Sequence, residues 1–298
     1  MYPLQDSLTI RPMPAKELYN YSFELPFEHS FDAVSWTDWF RNNWFHSITL
    51  SFIYVFSIYG GRKMMSYRAA FDLTKPLAYW NFATAAFSTL GAIRMTPEFV
   101  HVTWNYGFRY SICTAGYTQL RVTGFWATMF TLSKAVELID TAFIVLRKRP
   151  LIFLHWYHHV TVMLLTWYGY KDHTAPARWF IWMNYNVHAI MYTYYAVRAV
   201  GWRTPKWIAA SVTTMQITQM FVGCYIAFDI YQTKTKGEFC QQSARHLRFT
   251  IIVYFSYLIL FVQFFYNAYL KNGKKRTLDS TLKNQQAIRE QNGKAKVA

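Results

Sequence analysis

Leu154-His155-Trp156-Tyr157-His158-His159-Val160 opens an otherwise apolar stretch, 150 to 170, that has the length a helix needs to cross a bilayer. Three imidazoles at i, i+3 and i+4 fan over roughly 100° of a helix surface and so converge on one small volume. An ionisable side chain inside a span is costly and faces a bundle interior or a cavity. The segment therefore sets two expectations together, a membrane span and an interior site.

Outward from it, six further apolar segments stand at 42 to 61, 77 to 97, 122 to 146, 178 to 200, 207 to 231 and 249 to 270. The expected fold is an all-α polytopic membrane protein of seven transmembrane helices. Its divisions are an amino-terminal tail, 1–41, a helical domain, 42–270, and a polar basic tail, 271–298. The first span is the weakest, because its apolar centre, Phe45 to Tyr59, is short. Of the 298 residues 53% are hydrophobic and 15% charged, where a soluble domain has about 25% charged. With a mean hydropathy of only +0.02, the apolar residues must be gathered in blocks between polar loops. Three cysteines without a CxxC pair exclude a disulfide scaffold and a structural zinc module. A net charge of +16 would suit nucleic acid, but the basic residues lie largely in loops between apolar blocks, as the positive-inside rule explains.

Counted on alternate sides of the seven spans, one side carries eighteen Lys and Arg and the other twelve, which places the carboxyl terminus in the cytosol and the amino terminus in the lumen. Residues 1 to 30 lack the apolar core of a cleavable signal peptide. The sequon Asn20-Tyr21-Ser22 falls on the lumenal side, so Asn20 is a candidate for glycosylation. Cys113 and Cys240 both fall in lumenal loops, where a disulfide between them is chemically allowed, while Cys224 reads as a buried thiol. Lys294 and Lys296, three and five places from the end, resemble a dilysine retrieval signal of the endoplasmic reticulum.

Other spans carry polar residues as well. Span three holds Lys134, Glu137, Asp140 and Thr141 at three- and four-residue steps, with Lys134, Glu137 and Thr141 expected on one face and Asp140 to its side. An internal ion pair joining two helices is the plainer reading of this set. Span five has Asn184 and His188 one turn apart, continued by Tyr192. Span six has Gln216 and Gln219, which could equally be glue between helices. Clustered histidines serve either metal binding or nucleophilic and acid/base chemistry. A di-iron desaturase or hydroxylase needs about eight, and only four of the nine here are intramembrane. A seven-helix transporter or receptor is the remaining alternative, without the paired broken helices of an alternating-access carrier.

The box His155-Trp156-Tyr157-His158-His159, preceded by Lys134-Ala135-Val136-Glu137-Leu138-Ile139-Asp140-Thr141 and followed by Met183-Asn184-Tyr185-Asn186-Val187-His188 and Gln216-Ile217-Thr218-Gln219-Met220, resembles the very-long-chain fatty acid elongase family over about Trp36 to Tyr269. Ile152-Phe153-Leu154-His155 and Thr214-Met215-Gln216 are similar to the elongase 6 group, which extends saturated and monounsaturated chains. The resemblance implies a ring of six helices around a tunnel closed toward the lumen. It also implies condensation of an acyl-CoA with malonyl-CoA, with no cofactor and no metal. The implied partners are membrane lipid, CoA thioesters and the ketoreductase, dehydratase and enoyl reductase of the cycle, with a homo- or hetero-oligomer left open.

By that similarity His158 is the nucleophile, forming an acyl-imidazole, and His188 assists transfer. His155 and His159 orient or polarise, and Asn184 donates to a thioester or malonyl oxygen. Lys134, Glu137, Asp140, Tyr192, Gln216 and Gln219 are candidate substrate-binding residues. Bottom-up chemistry agrees, since neutral imidazole attacks thioesters and the enolate from malonyl decarboxylation needs shelter from water.

Overall fold

The computed structural model describes residues 18–271, and its secondary structure there is helical, without strands among the described residues. Two short helices, α1 (Pro26–His29) and α2 (Ala33–Asn43), precede the long ones. These are α3 (His46–Ser66), α4 (Thr74–Cys113), α5 (Arg121–Val136), α6 (Ile139–Leu146), α7 (Phe153–Tyr170), α8 (Ala177–Ala199), α9 (Lys206–Thr235) and α10 (Ala244–Phe265). The last continues as a π-helical turn, Tyr266–Lys271. Every expected span overlaps a helix, but two differ in form.

Span two extends well beyond 97 as α4, bent at Gly107, whose φ of 82° is one that glycine takes without strain. Span three is not continuous. Between α5 and α6 the bonds Leu138 N–H to Ala135 O and Asp140 N–H to Glu137 O shorten the step from four residues to three, a 3₁₀-type tightening. The break coincides with Glu137, whose carboxylate turns back to Ser133 and Lys134. Beyond it Thr141 meets Tyr54 and His155, while Lys134 before it meets Glu137 and Asn184, so the residues expected on one face have separate partners.

Among the described residues one helix, Ala244–Lys271, is long and apolar enough by composition alone to cross a membrane. The other long helices fall short because histidines, amides, tyrosines and charges interrupt them. Their apolar residues nevertheless face outward: Phe52 and Phe56 on α3, Phe82 and Ile93 on α4, Phe221 and Phe228 on α9, and Ile252 and Phe255 on α10 are all exposed. Charged Lys134, Glu98 and Arg178 are buried inside. That inversion of the soluble pattern is what an apolar solvent selects.

One end of the bundle is tied shut. The disulfide Cys113–Cys240 joins the end of α4 to the connection before α10. Beside it, Gln241 N–H donates to Cys113 O at 3.0 Å and Ala175 N–H to Gln241 O at 2.9 Å. Arg178, fully buried, spans Glu98 at 3.0 Å and the carbonyls of Ser111 and Thr114 at 2.5 and 2.8 Å. Residues 18–43 strap across this region. The buried Glu28 carboxylate accepts from Arg94 at 2.6 Å and Trp126 Nε1 at 2.7 Å. Burial alone would raise the Glu28 pKa, but the Arg94 guanidinium and the other donors outweigh it and hold the carboxyl below the usual range. Thr37 Oγ1 lies 2.9 Å from His173 Nε2, fastening α2 to the α7–α8 connection.

Candidate functional site

Two cavities approach the histidine box from opposite sides. The first, an inner chamber, is walled by α5, α7, α8, α9 and α10. Phe130, Val162, Leu165, Phe180, Ile181 and Met220 make it mostly apolar, and Tyr117, Tyr170 and His246 lie at the tied end. His158, Asn184 and Gln219 are the polar groups at its other end. The second, a mouth of about 390 Å³, is lined by Asp140, Arg147, Arg149, His155, Tyr192 and Arg198, with Asn81, Tyr195 and apolar residues of α4 and α6. One turn of α7 therefore presents His155 to the mouth and His158 to the chamber.

The imidazoles are packed against one another. The His155 ring centre is 4.5 Å from that of His159, which is 5.9 Å from that of His158. His155 Nε2 lies 2.9 Å from Thr141 Oγ1, which in turn meets Tyr54 OH at 2.6 Å. The His158 ring packs on Tyr257, at 4.7 Å, and Tyr257 OH donates to the His158 carbonyl at 3.2 Å. Nδ1 of both His158 and His159 is buried with no partner among the described residues.

The charged residues of span three form a network beside this row. Lys134 Nζ donates to Glu137 Oε1 at 2.7 Å and to Asn184 Oδ1 at 3.0 Å. His188 Nδ1 lies 3.8 Å from the same Glu137 oxygen, and its ring packs on Tyr192. Asp140 belongs to the mouth instead, accepting from Trp80 Nε1 at 2.5 Å and Tyr192 OH at 2.6 Å.

The structure thus brings His155, His158, His159, Asn184, Lys134, Glu137 and His188 to one region. Gln219 joins the chamber wall, whereas Gln216 turns to Met191 Sδ at 3.2 Å and lines neither cavity. Lys134 lines neither cavity either, so it does not reach a ligand held in the mouth. Asn20 is exposed, and Lys294 and Lys296 lie outside the described residues. Among the described residues no group of three or more His, Cys, Asp or Glu is arranged to hold a metal ion. Sequence reasoning missed Trp80, Tyr257 and Thr141's partner Tyr54. All three are aromatics among many in apolar helices, and only their hydrogen bonds distinguish them.

Comparison with known proteins adds a family. The family described as ELO, GNS1/SUR4, matches residues 39–277. "Putative fatty acid elongase 3" of Caenorhabditis elegans is 54% identical over 89% of this chain and 83% of its own. "Very long chain fatty acid elongase 6" of Drosophila melanogaster is 43% identical, over 91% and 87% respectively. The Homo sapiens protein of the same name is 43% identical over 85% of this chain and 96% of its own.

Proposed function

The chain belongs to the ELO, GNS1/SUR4, family, and from that footing we propose that it is the condensing enzyme of fatty acid elongation, a multi-pass protein of the endoplasmic reticulum membrane. The reaction joins a long-chain acyl-CoA to malonyl-CoA and, with one proton taken up, gives a 3-oxoacyl-CoA two carbons longer, carbon dioxide and CoA. The resemblance to the elongase 6 group, a name that relatives carry, makes saturated and monounsaturated acyl-CoAs the proposed substrates.

The observation that carries this reading is that His158 and Asn184 line an apolar chamber while His155, one turn away on α7, lines an arginine-bearing mouth. A CoA thioester has the same division, a polyanionic head and an apolar chain meeting at the reacting carbonyl. Arg147, Arg149 and Arg198 in the mouth are placed to pair with phosphates. The chamber takes the acyl chain, and the tied end, on the lumenal side in this reading, stops it. The seven helical segments cross the membrane, six of them as a ring around the chamber, with the carboxyl terminus in the cytosol.

Within the site, His158 attacks the thioester carbonyl and carries the acyl group as an acyl-imidazole. Malonyl-CoA then enters the vacated mouth, loses carbon dioxide, and its enolate carbon attacks the acyl carbon and releases the imidazole. The apolar surroundings keep water from the acyl group and the enolate. His188 and Asn184 stabilise the oxyanions of the two steps, and His155 and His159 fix the row. The reaction needs no cofactor, and its product passes to a ketoreductase, a dehydratase and an enoyl reductase. The test is incorporation of labelled malonyl-CoA by purified protein in detergent, offered acyl-CoAs of graded length. A labelled 3-oxoacyl product supports the reading, and no product from folded protein overturns it.

A further inference from the structure

Lys134 is 1% exposed and sits where three elements meet, over the Phe130 ring at 4.2 Å, beside Glu137 at 2.7 Å and against Asn184 at 3.0 Å. A buried ammonium needs an acceptor, and Glu137 supplies the countercharge in direct contact. The contact with Asn184 is a second matter. An ammonium carries three donors and no acceptor, so the end of the Asn184 carboxamide that faces it must be the oxygen. The nitrogen then faces the other way. Asn184 lines the chamber next to His158 and Gln219, and among the described residues its Nδ2 hydrogens have no protein acceptor.

We propose that Lys134 is a positioning residue, which by holding Asn184 Oδ1 aims the Asn184 Nδ2 hydrogens at the reacting carbonyl oxygen in the chamber. This rests on the condensing reading above. As a His158 nitrogen forms its bond to the thioester carbon, the carbonyl π pair moves onto oxygen, and Nδ2–H donates to that oxyanion. When the pair returns, the carbon–sulfur bond breaks and its electrons leave on the CoA sulfur. The proton on the other imidazole nitrogen passes to that thiolate, leaving neutral acyl-imidazole and CoA thiol.

Orientation matters because a carboxamide is two-faced. Turned over, Asn184 would set its oxygen lone pairs against the developing negative charge, and in a dry chamber that repulsion is poorly screened. Glutamine or serine at 134 could accept as well as donate, so either would tolerate both orientations. A donor-only side chain tolerates one. Glu137 completes the device by neutralising Lys134 and accepting from Ser133 Oγ at 3.0 Å, so the aiming force adds no net charge beside the site.

The experiment is a double-mutant cycle on the full-length protein, reading kcat and KM for labelled malonyl-CoA incorporation, with thermal unfolding to normalise for folded enzyme. Asn184→Ala lowers kcat about 10²-fold, as loss of one oxyanion donor does, and Lys134→Met lowers it about 10-fold or more, each with the acyl-CoA KM little changed. In the Asn184→Ala background Lys134→Met costs nothing further, because there is no amide left to aim. Lys134→Arg, again a donor only, retains more activity than Lys134→Gln. If Lys134→Met costs the same factor with and without Asn184, the positioning role is wrong. Should Lys134→Met not fold, the Arg and Gln variants decide, and Gln matching or exceeding Arg overturns the proposal. Absence of product from folded wild-type protein instead sinks the condensing reading, and the proposal with it.

Discussion

The mouth and the chamber share one turn of α7 yet differ in almost every physical respect. The mouth offers Arg147, Arg149 and Arg198 around a single carboxylate, Asp140, that is itself bound by Trp80 and Tyr192. The chamber offers rings and aliphatic side chains, and confines its polar groups largely to His158, Asn184 and Gln219 at one end and Tyr170, Thr174 and His246 at the other. Under the proposed reaction, a substrate charged at one end and apolar at the other would be sorted by this difference before any chemistry occurs. The boundary between the two regions falls at the histidines, where His155 lines the mouth and His158, one turn further along α7, lines the chamber.

Substitutions on either side of that boundary are expected to separate the two regions, and the largest effect belongs to the boundary itself. His158→Ala should reduce kcat by at least about 10³-fold and abolish any acyl-enzyme adduct seen by intact-protein mass spectrometry, since the other imidazole among the chamber's lining residues, His246, lies at the tied end. Full activity in that variant would mean that the nucleophile lies elsewhere. Behind the chamber, Arg178→Met leaves Glu98 buried and unpaired, and is expected to cost about 3–5 kcal/mol of stability by thermal or denaturant unfolding. An unchanged unfolding midpoint would show that the tied end is not held by this pair.

The mouth should respond more gently. Arg147→Ala or Arg198→Ala is expected to raise the KM for both CoA thioesters about 10-fold while leaving the product length profile alone, and the effect should shrink in high salt. In the chamber wall, Gly169→Ala places a methyl 2.8 Å from His246 Nε2. It is expected to shorten the favoured acyl chain without changing the KM for malonyl-CoA, and a profile shifted to longer chains would contradict the placement of the stop.

The smallest effect is expected in the amino-terminal strap. Folded Glu28 titrates below its unfolded value of about 4.3, so its contribution is complete above that value and is lost as pH falls through the lower folded one. Glu28→Gln should therefore lower the unfolding midpoint at neutral pH and flatten the loss of stability in acid, measured as unfolding midpoint against pH.

Apolar blocks of about 20 residues between basic loops led to the helices, and the spacing of His155, His158 and His159 led to imidazoles that pack together. The break after Val136 was not legible, since Lys134, Glu137 and Thr141 fit one helical face equally well without it. Nor was the parting of Gln216 from Gln219, which are three residues apart on α9 and yet meet different neighbours.

What the sequence by itself determined was the set of segments, their apolar character and the residues costly enough in lipid to demand a purpose, since those follow from local composition and from desolvation. The tertiary structure decided the rest. Which imidazole faces the mouth, which faces the chamber, and that Lys134 spends a donor on Asn184 rather than on a ligand depend on contacts between residues 50 positions apart, and only packed helices bring such residues together.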